Sequence, residues 1–265
     1  MSTLDLPLID ETRDVVAFRP FKALHHFRNL VADKEDTKEV FFIIEALKGR
    51  KIRTQAEAFL KSETARDFMR REDDLPIADM LDDHDRWADC GPNTVAQHYI
   101  RFMKREGLTA NGLVDESYAW SPRENRPVDQ IEWYLNRLRD THDLFHVLTT
   151  YGRDALGEAA LLGFSYEQNH NLGVKFIAYA GARQIKKVSD TKAPLYKAIR
   201  EGRDLGKAAA KLAHMDVERV MREDIDEARV RLGIGQPLIY RECLRILESE
   251  GNMASDLGLS EPQAA

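Results

Sequence analysis

The sequence has few of the features that mark secreted, membrane-spanning or multi-domain proteins. It contains only two cysteines, Cys90 and Cys243, which are far apart and are not spaced as a metal-binding pair. A reducing cytosol is therefore the simplest environment for this chain. No apolar run approaches the ~18 residues that a membrane-spanning helix needs. No segment rich in proline, glycine or serine divides the 265 residues, and we therefore expect one domain.

The distribution of charge excludes further classes. The N-terminus carries Asp5, Asp10, Glu11 and Asp14, which is unlike a signal peptide or a transit peptide. The net charge of −6 argues against a dedicated nucleic-acid binder. A hydrophobic fraction of 43% with 32% charged residues is typical of a soluble helical protein with a proper core. We expect a cytoplasmic protein that has no nucleic-acid partner.

Helical periodicity runs through most of the chain, and no segment clearly predicts a strand. A buried helix is expected to begin at Thr37, and helical patterns are expected over residues 53–71 and 94–106 and from 173 to about 248. Asn111, Gly112 and the prolines at 122 and 127 predict a long loop. The expected class is all-α, with a flexible N-terminus (residues 1–17), a single helical domain (18–250) and a disordered tail (251–265).

The clearest helical pattern surrounds two histidines and an aspartate. Apolar positions recur every three or four residues at Val128, Ile131, Leu135, Leu138, Phe145 and Thr149. His142 and His146 lie on this apolar face, one turn apart. Asp143 is turned about 100° from His142 and sits beside the pair. A lone buried histidine is more often a hydrogen-bonded core residue. Burying two imidazoles without partners, however, costs several kcal/mol. The two histidines and the neighbouring carboxylate therefore predict a metal site or an active site.

Glu158 is a further candidate ligand. Eleven residues separate it from His146, which in a straight helix places the two roughly 18 Å apart. Gly152 can end the first helix and Asp154 can cap a second helix at its N-terminus. If the second helix folds back, Glu158 approaches His142 and His146. We therefore predict a metal site between the motif helix and the helix that follows it.

The pattern His-Asp-x-x-His-(eleven residues)-Glu resembles the signature of a coenzyme Q biosynthesis family, the fourth of the Coq proteins. The resemblance covers roughly residues 20–240. Its matching blocks are residues 99–103, 139–148, 156–162, 202–203, 216–218 and 230–234. Residues 91–97 depart from a more glycine-rich turn in the family, and Val217 stands where tryptophan is common. All four signature residues are intact.

This resemblance implies a role in ubiquinone biosynthesis on a polyprenylated, 4-hydroxybenzoate-derived ring. The implied reaction is metal-dependent oxidative decarboxylation at ring carbon C1, which replaces the carboxylate with a hydroxyl. The alternative is a non-catalytic, lipid-binding scaffold that organises the other ubiquinone-biosynthetic enzymes. With the acidic N-terminus, the resemblance indicates a bacterial member, held peripherally on the inner face of the membrane.

The resemblance also implies the site residues. His142, Asp143, His146 and Glu158 are the expected metal ligands and catalytic residues, with Asp143 either a fourth ligand or an orienter of one histidine. The expected cofactor is a divalent metal: Zn, Fe or Mn. Zn²⁺ has no redox chemistry, whereas two histidines and a carboxylate with open positions are typical of non-haem iron oxygenases. The sequence leaves this choice open.

Other interpretations stay open at this point. The His142-Asp143 doublet resembles that of metal-dependent phosphohydrolases, which also need an upstream histidine, such as His98, and a downstream aspartate. Glu167 and His170 have the spacing of carboxylate-bridged di-iron bundles, although the second motif expected there is not evident. Residues 181–211 hold nine lysines or arginines against three acids. They are either a solvated face or, with their interleaved apolar residues, a lipid surface. A homodimer is also expected.

Overall fold

The computed structural model describes residues 2–13, 18–33 and 38–252. These ranges contain no β-strand, apart from an isolated bridge between Thr94 and Asp224. The all-α class predicted from the sequence is therefore confirmed. Thr37, at which we predicted the start of a helix, lies outside the described residues. So does the tail from residue 253 onward, which we predicted to be disordered.

The described residues form fifteen α-helices, numbered in chain order. They are α1 (Pro20–Ala32), α2 (Lys38–Ala46), α3 (Arg50–Leu60), α4 (Glu63–Asp74), α5 (Ile77–Asp82), α6 (Val95–Glu106), α7 (Ala110–Trp120), α8 (Gln130–Asp140), α9 (His142–Thr149), α10 (Ala155–Asn169), α11 (Leu172–Ser189), α12 (Leu195–Ala208), α13 (Val217–Arg222), α14 (Ile225–Leu232) and α15 (Leu238–Ser249). Short 3-10 turns occur at Thr3–Asp5, His84–Trp87, Arg123–Asn125 and Leu212–His214. None of these helices is long and apolar enough to cross a membrane.

The chain divides into two compact units. The first comprises Arg50–Leu148, Lys211–Leu232 and the described part of Met1–Val16; the second comprises Thr149–Ala210 and the described parts of Ala17–Gly49 and Gly233–Ala265. Each unit is assembled from separate stretches of chain. The predicted domain boundaries stay a prediction.

The first unit is organised around α8. Ile131 and Tyr134 of this helix pack with Phe59, Phe68 and Met69 of α3 and α4 in a hydrophobic cluster. On the same helix, the buried guanidinium of Arg137 forms an ion pair with Glu72 and donates hydrogen bonds to the carbonyl oxygens of residues 213 and 215. These bonds satisfy a charged group that would otherwise be costly to bury.

The N-terminal segment belongs to this unit and has defined contacts. Asp129, the N-cap of α8, accepts hydrogen bonds from the side chain of Arg13 at 2.7 and 2.8 Å and from the backbone N–H of Asp10 at 2.9 Å. Asp73 of α4 accepts from the backbone N–H of Thr3 at 2.9 Å. Residues 2–13 are thus held to the first unit, while the predicted flexibility of residues 1–17 stays a prediction.

In the second unit, α10 and α12 cross at very short range. A Cβ atom added at Gly202 would lie 2.3 Å from the carbonyl oxygen of Ala160, and one added at Gly206 would lie 2.4 Å from that of Phe164. Only glycine allows the two backbones this approach. A second cluster packs Ala23 of α1 with Ile43, Ala46 and Leu47 of the α2 region and Ile177 of α11.

Several predicted boundaries are wrong. The expected helix over residues 53–71 is two helices, because the side chain of Ser62 caps α4 by accepting the N–H of Ala65 at 3.1 Å. The expected loop at 111–127 is largely α7. Asp82 stabilises its start by accepting the N–H groups of Ala110 and Asn111 at 2.7 and 2.9 Å. The helix over 94–106 is confirmed as α6, whose C-cap is Gly107 with φ 66°.

Candidate metal centre

The predicted motif helix is broken at Thr141. Helix α8 ends at Asp140, and α9 begins at His142. The hydroxyl of Thr141 donates a hydrogen bond to the carbonyl oxygen of Arg137 at 2.8 Å, four residues earlier. Such a bond back to the preceding turn is a known cause of helix bending. Val128, which we placed on the apolar face, is 61% exposed and precedes the helix.

Helix α9 brings His142, Asp143 and His146 together. One potential ligand atom from each lies within 4.8 Å of the other two. The imidazole centroids of His142 and His146 are 5.0 Å apart, with the rings nearly perpendicular. His146 is buried, whereas His142 and Asp143 are half-buried. Two imidazoles and a carboxylate fit a first-row divalent metal such as Zn²⁺ or Fe²⁺, and three ligands leave coordination positions for a substrate.

Helix α6 supplies the surroundings of this cluster within the first unit. The ring of Phe102 stacks on the imidazole of His146, with centroids 5.6 Å apart and 20° between the planes. This contact restricts the orientation of the His146 ring. Tyr99, one turn earlier on α6, is fully buried.

The hydroxyl of Tyr99 has no hydrogen-bond partner among the described residues. Burial raises the pKa of Tyr99, and the negative charge of Asp143 is the next cause. The phenol is therefore protonated at neutral pH and lies within electrostatic reach of the metal-ligand cluster. Sequence reasoning missed Tyr99 and Phe102 as site residues, although their spacing of three on a helix was the available signal.

The C-terminal end of α9 is held by Arg229 of α14. Its guanidinium donates to the carbonyl oxygens of Val147 and Leu148, both at 3.0 Å. Carbonyl groups in the last turn of a helix lack partners within the helix, and a cation is favourable there. Arg229 thus fixes the helix that carries the three candidate ligands. No sequence pattern pointed to this residue.

Glu158 lies in the second unit, in the first turn of α10. Its carboxylate is 3.7 Å from the guanidinium of Arg153. The predicted N-cap is confirmed, because Asp154 accepts the backbone N–H groups of Leu156 and Gly157 at 3.1 and 2.9 Å. Helix α9 ends at Thr149, before the predicted Gly152, and the next residue has φ 61°. That Glu158 is a fourth ligand stays a prediction.

The remaining candidate residues make contacts away from the cluster on α9. Glu167 forms an ion pair with Arg203 at 2.6 Å, and His170 ends α10 in the left-handed conformation with φ 55°. His98 is 3.1 Å from the side chain of Asn93 and is not part of the metal-ligand cluster found among the described residues. These contacts give no support to a di-iron site at Glu167 and His170, or to the phosphohydrolase interpretation.

The basic stretch at 181–211 forms parts of α11 and α12. Of the apolar residues interleaved in it, Ile185, Leu195 and Ile199 are buried in the second unit. Val188 and Tyr196 are 57% and 41% exposed. Most of its apolar side chains therefore stabilise the fold and are not available to a lipid surface.

Comparison with known proteins identifies the family. Residues 26–237 match the sequence profile described as coenzyme Q (ubiquinone) biosynthesis protein Coq4. The chain belongs to the Coq4 family. This is a family of ubiquinone biosynthesis proteins, as the sequence resemblance predicted.

Individual relatives agree with this assignment. The mitochondrial ubiquinone biosynthesis proteins COQ4 of Ajellomyces capsulatus (strain NAm1 / WU24) and Podospora anserina are 27% and 28% identical over 169 and 163 residues. These matches cover 62% and 58% of this chain and 56% and 48% of the relatives, so the chain spans about half their length.

The fold is also similar to the crystal structure of a candidate ubiquinone biosynthesis protein from Nostoc punctiforme PCC 73102. The structural match covers 83% of this chain and 100% of the Nostoc chain. Its TM-score is 0.54 at 20% identity, which shows a shared fold.

Proposed function

We propose that this Coq4-family protein catalyses the metal-dependent oxidative decarboxylation of a polyprenylated, 4-hydroxybenzoate-derived ring in ubiquinone biosynthesis. The observation that carries the proposal is the cluster of His142, Asp143 and His146, whose potential ligand atoms lie within 4.8 Å of one another. A site that served only to stabilise the fold would normally close its ligand shell with protein atoms. Three ligands on one short helix leave positions for the carboxylate and phenol of a substrate.

The proposed reaction breaks the bond between C1 and the carboxyl carbon, which leaves as CO₂, and forms a C1–O bond. Dioxygen is the oxidant: one oxygen atom is retained on C1, and the other becomes water with two electrons and two protons from a reductant. A divalent metal held by His142, Asp143 and His146, with Glu158 as the predicted fourth ligand, would supply Lewis acidity or, as Fe or Mn, redox chemistry.

The residues around the cluster have roles of their own in this proposal. Phe102 orients the imidazole of His146 by stacking on it. Tyr99 keeps its proton at neutral pH because burial raises the pKa of the phenol. Its hydroxyl can therefore donate a hydrogen bond to a substrate oxygen, which favours the more negative form of that oxygen. Arg229 holds the C-terminal end of the helix that carries the ligands.

The proposal extends to location and partners. A polyprenylated substrate resides in the membrane, and we place the protein peripherally on the inner face of that membrane, where it meets other ubiquinone-biosynthetic enzymes. The alternative is a lipid-binding scaffold without catalysis, in which the metal anchors a ligand. Formation of a homodimer also stays a prediction.

The test is anaerobic loading of the purified protein with Fe(II), Mn(II) or Zn(II), followed by a short-tail prenylated 4-hydroxybenzoate derivative, a reductant and O₂. Release of CO₂ with formation of the C1-hydroxylated product is expected, and both should be lost in His142→Ala. The matched control is His84→Ala, which removes an imidazole outside the cluster. Metal binding without turnover under any loading would instead favour the scaffold.

Metal content checks the ligand assignment independently of turnover. His142→Ala and His146→Ala should each lower the bound metal per chain, measured by elemental analysis after dialysis, while His84→Ala leaves it unchanged. Undiminished metal in His146→Ala would reject the assigned ligand set.

A further inference from the structure

The outward side of α1 exposes large apolar side chains in the second unit. Phe18 and Phe21 are 70% and 87% exposed, and Leu24 is 39% exposed. Leaving two phenyl rings in water is unfavourable, because burial of their apolar surface would lower the free energy. Phe18 lies two residues before α1, and Phe21 and Leu24 lie in its first turns. Because these side chains are grouped at the start of one helix, they indicate a surface that meets an apolar phase.

The opposite side of α1 already has a packing partner. Ala23 is fully buried, and Phe27 and Leu30, spaced four and seven residues later, pack with it against α2 and α11. The ring of Phe27 meets that of Phe176 edge-on, with centroids 5.7 Å apart. The helix is therefore anchored to the second unit through one side, and the other side faces outward. We call this second side the α1 outer face. Its members are Phe21, Leu24, His25 and Arg28, with Phe18 just before the helix and Lys22 at the edge.

The charge of the α1 outer face is of one sign. Residues 18–32 contain Arg19, Lys22 and Arg28 and no aspartate or glutamate, although the whole chain has a net charge of −6. Arg28 is exposed seven residues after Phe21, on the same side of the helix. Lys22 is also exposed, at the edge of this side, where its ammonium lies 5.8 Å from the centroid of the Phe42 ring. Exposed aromatic and leucine side chains among cations only are the composition of a surface that binds at an anionic lipid interface.

We propose that the α1 outer face docks on an anionic lipid bilayer. Phe18 and Phe21 enter the headgroup region, and Lys22 and Arg28 contact the lipid phosphates. A second copy of the chain fits this face poorly, because a two-fold contact would bring its cations against the same cations of the partner. This inference rests on the proposed peripheral location of the protein and is independent of the decarboxylation.

The experiment is co-sedimentation of the full chain with vesicles of phosphatidylcholine alone and with vesicles of equal parts phosphatidylcholine and phosphatidylglycerol. Binding is expected only to the anionic vesicles and should weaken with added salt. Phe18→Ser with Phe21→Ser should lower the partition coefficient about tenfold or more, and so should Lys22→Glu with Arg28→Glu. These side chains are exposed, and circular dichroism should report an unchanged fold.

The matched control is Val188→Ser with Tyr196→Ser, which alters the two exposed apolar residues of the basic stretch at 181–211. This variant should bind like the wild type. If it loses binding while the phenylalanine variant keeps it, the α1 proposal is wrong and the peripheral location stands. Absence of binding to both vesicle types would overturn both. Light scattering without vesicles tests the other possible partner, a second copy of the chain. If the wild type is a dimer and the phenylalanine variant a monomer, the α1 outer face is a dimer interface and the proposal is also overturned.

Vesicle binding separates this inference from the proposed chemistry. The assay contains neither metal nor substrate, and His142→Ala should bind anionic vesicles like the wild type. A protein that binds lipid through α1 but shows no turnover would leave this inference intact and reject only the catalytic proposal.

Discussion

The phenyl ring of Phe102 stacks on the imidazole of His146, with centroids 5.6 Å apart and 20° between the ring planes. The contact joins α6 to the helix that carries the three candidate ligands, and it limits the rotation of a ring that would have to point a nitrogen at the proposed metal. Groups that orient a metal-binding histidine typically contribute about tenfold or more to metal affinity.

We therefore expect Phe102→Leu to weaken metal binding about tenfold, because the His146 ring loses its stacking partner. Isothermal titration with Zn²⁺ measures the effect. Phe68→Leu is the control, since it removes a buried phenyl ring from the α3–α4–α8 cluster of the same unit. Equal affinities in the two variants would show that the stacking does not orient the ligand.

Tyr99→Phe should lower turnover without lowering the stability of the fold. The hydroxyl of Tyr99 makes no hydrogen bond within the described residues, so its removal should leave the free energy of unfolding unchanged or raise it by up to about 1 kcal/mol. If the hydroxyl donates to the substrate, turnover should fall at least about tenfold. Thermal unfolding and CO₂ release measured on the same preparation decide this, with Tyr134→Phe as a buried control. Full turnover in Tyr99→Phe would remove the residue from the site.

Tyr240→Phe should destabilise the start of α10. The hydroxyl of Tyr240 donates to the carboxylate of Asp154 and accepts the N–H of Gly152 at 3.0 Å. Burial raises the pKa of Asp154, because it disfavours the charged form of this carboxylate. Loss of the hydroxyl should lower the free energy of unfolding by about 1–3 kcal/mol in urea titration. Tyr196→Phe, at an exposed position of the same unit, should change it little.

Gly202→Ala tests the close crossing of α10 and α12. The added Cβ would lie 2.3 Å from the carbonyl oxygen of Ala160, and the two backbones would have to move apart. Overpacking of this kind costs about 1–3 kcal/mol, and backbone displacement adds to it. Gly91→Ala is the matched control, because nothing lies within 4 Å of the added Cβ. A wild-type unfolding midpoint for Gly202→Ala would contradict the observed approach.

His214 should make stability fall in mild acid. Its ring stacks on Phe59, with centroids 3.9 Å apart, and burial with the charges of Lys211 and Arg137 lowers its pKa from 6.5 to about 4. Between these two pH values the unfolded chain binds a proton that the folded chain does not, so stability falls as the pH falls from 6.5 towards 4.

Between neutral pH and pH ~5, His214→Gln should lose about 1 kcal/mol less stability than the wild type. This difference is smaller than the full pKa shift would give, because the side chain is partly exposed to solvent. Urea titrations at several pH values measure this slope. His84→Gln, away from Phe59, is the control. An identical pH slope in wild type and His214→Gln would show that the histidine titrates normally.

Features that depend on neighbours along the chain were predictable from sequence. The i, i+4 spacing of His142 and His146 places both on one side of a helix whatever surrounds it, and Asp143 necessarily lies next to them. Thr94 and Gly107 delimit α6, and Asp154 caps α10, because capping bonds join residues two to four positions apart. The all-α class follows from the same local periodicity.

Features that depend on distant residues required the tertiary structure. Asn111 and Gly112 suggested a loop, yet Asp82, nearly thirty residues earlier, stabilises a helix there by accepting backbone N–H groups. Phe21 and Phe27 are equally apolar, and only the packing of α1 on α2 and α11 decides that Phe27 is partly buried and Phe21 exposed.

The sequence by itself thus determined the helical class, the caps at Thr94, Gly107 and Asp154, and the histidine pair, because each arises from contacts within one or two turns. The local cap at Ser62 was missed, because the helical periodicity continues across it. The tertiary structure decided that Phe102 stacks on His146, that Arg229 holds the helix of the candidate ligands, and that the outer side of α1 is aromatic and cationic. Burial and electrostatics at these positions come from segments far apart in the chain, and no local pattern of residues encodes them.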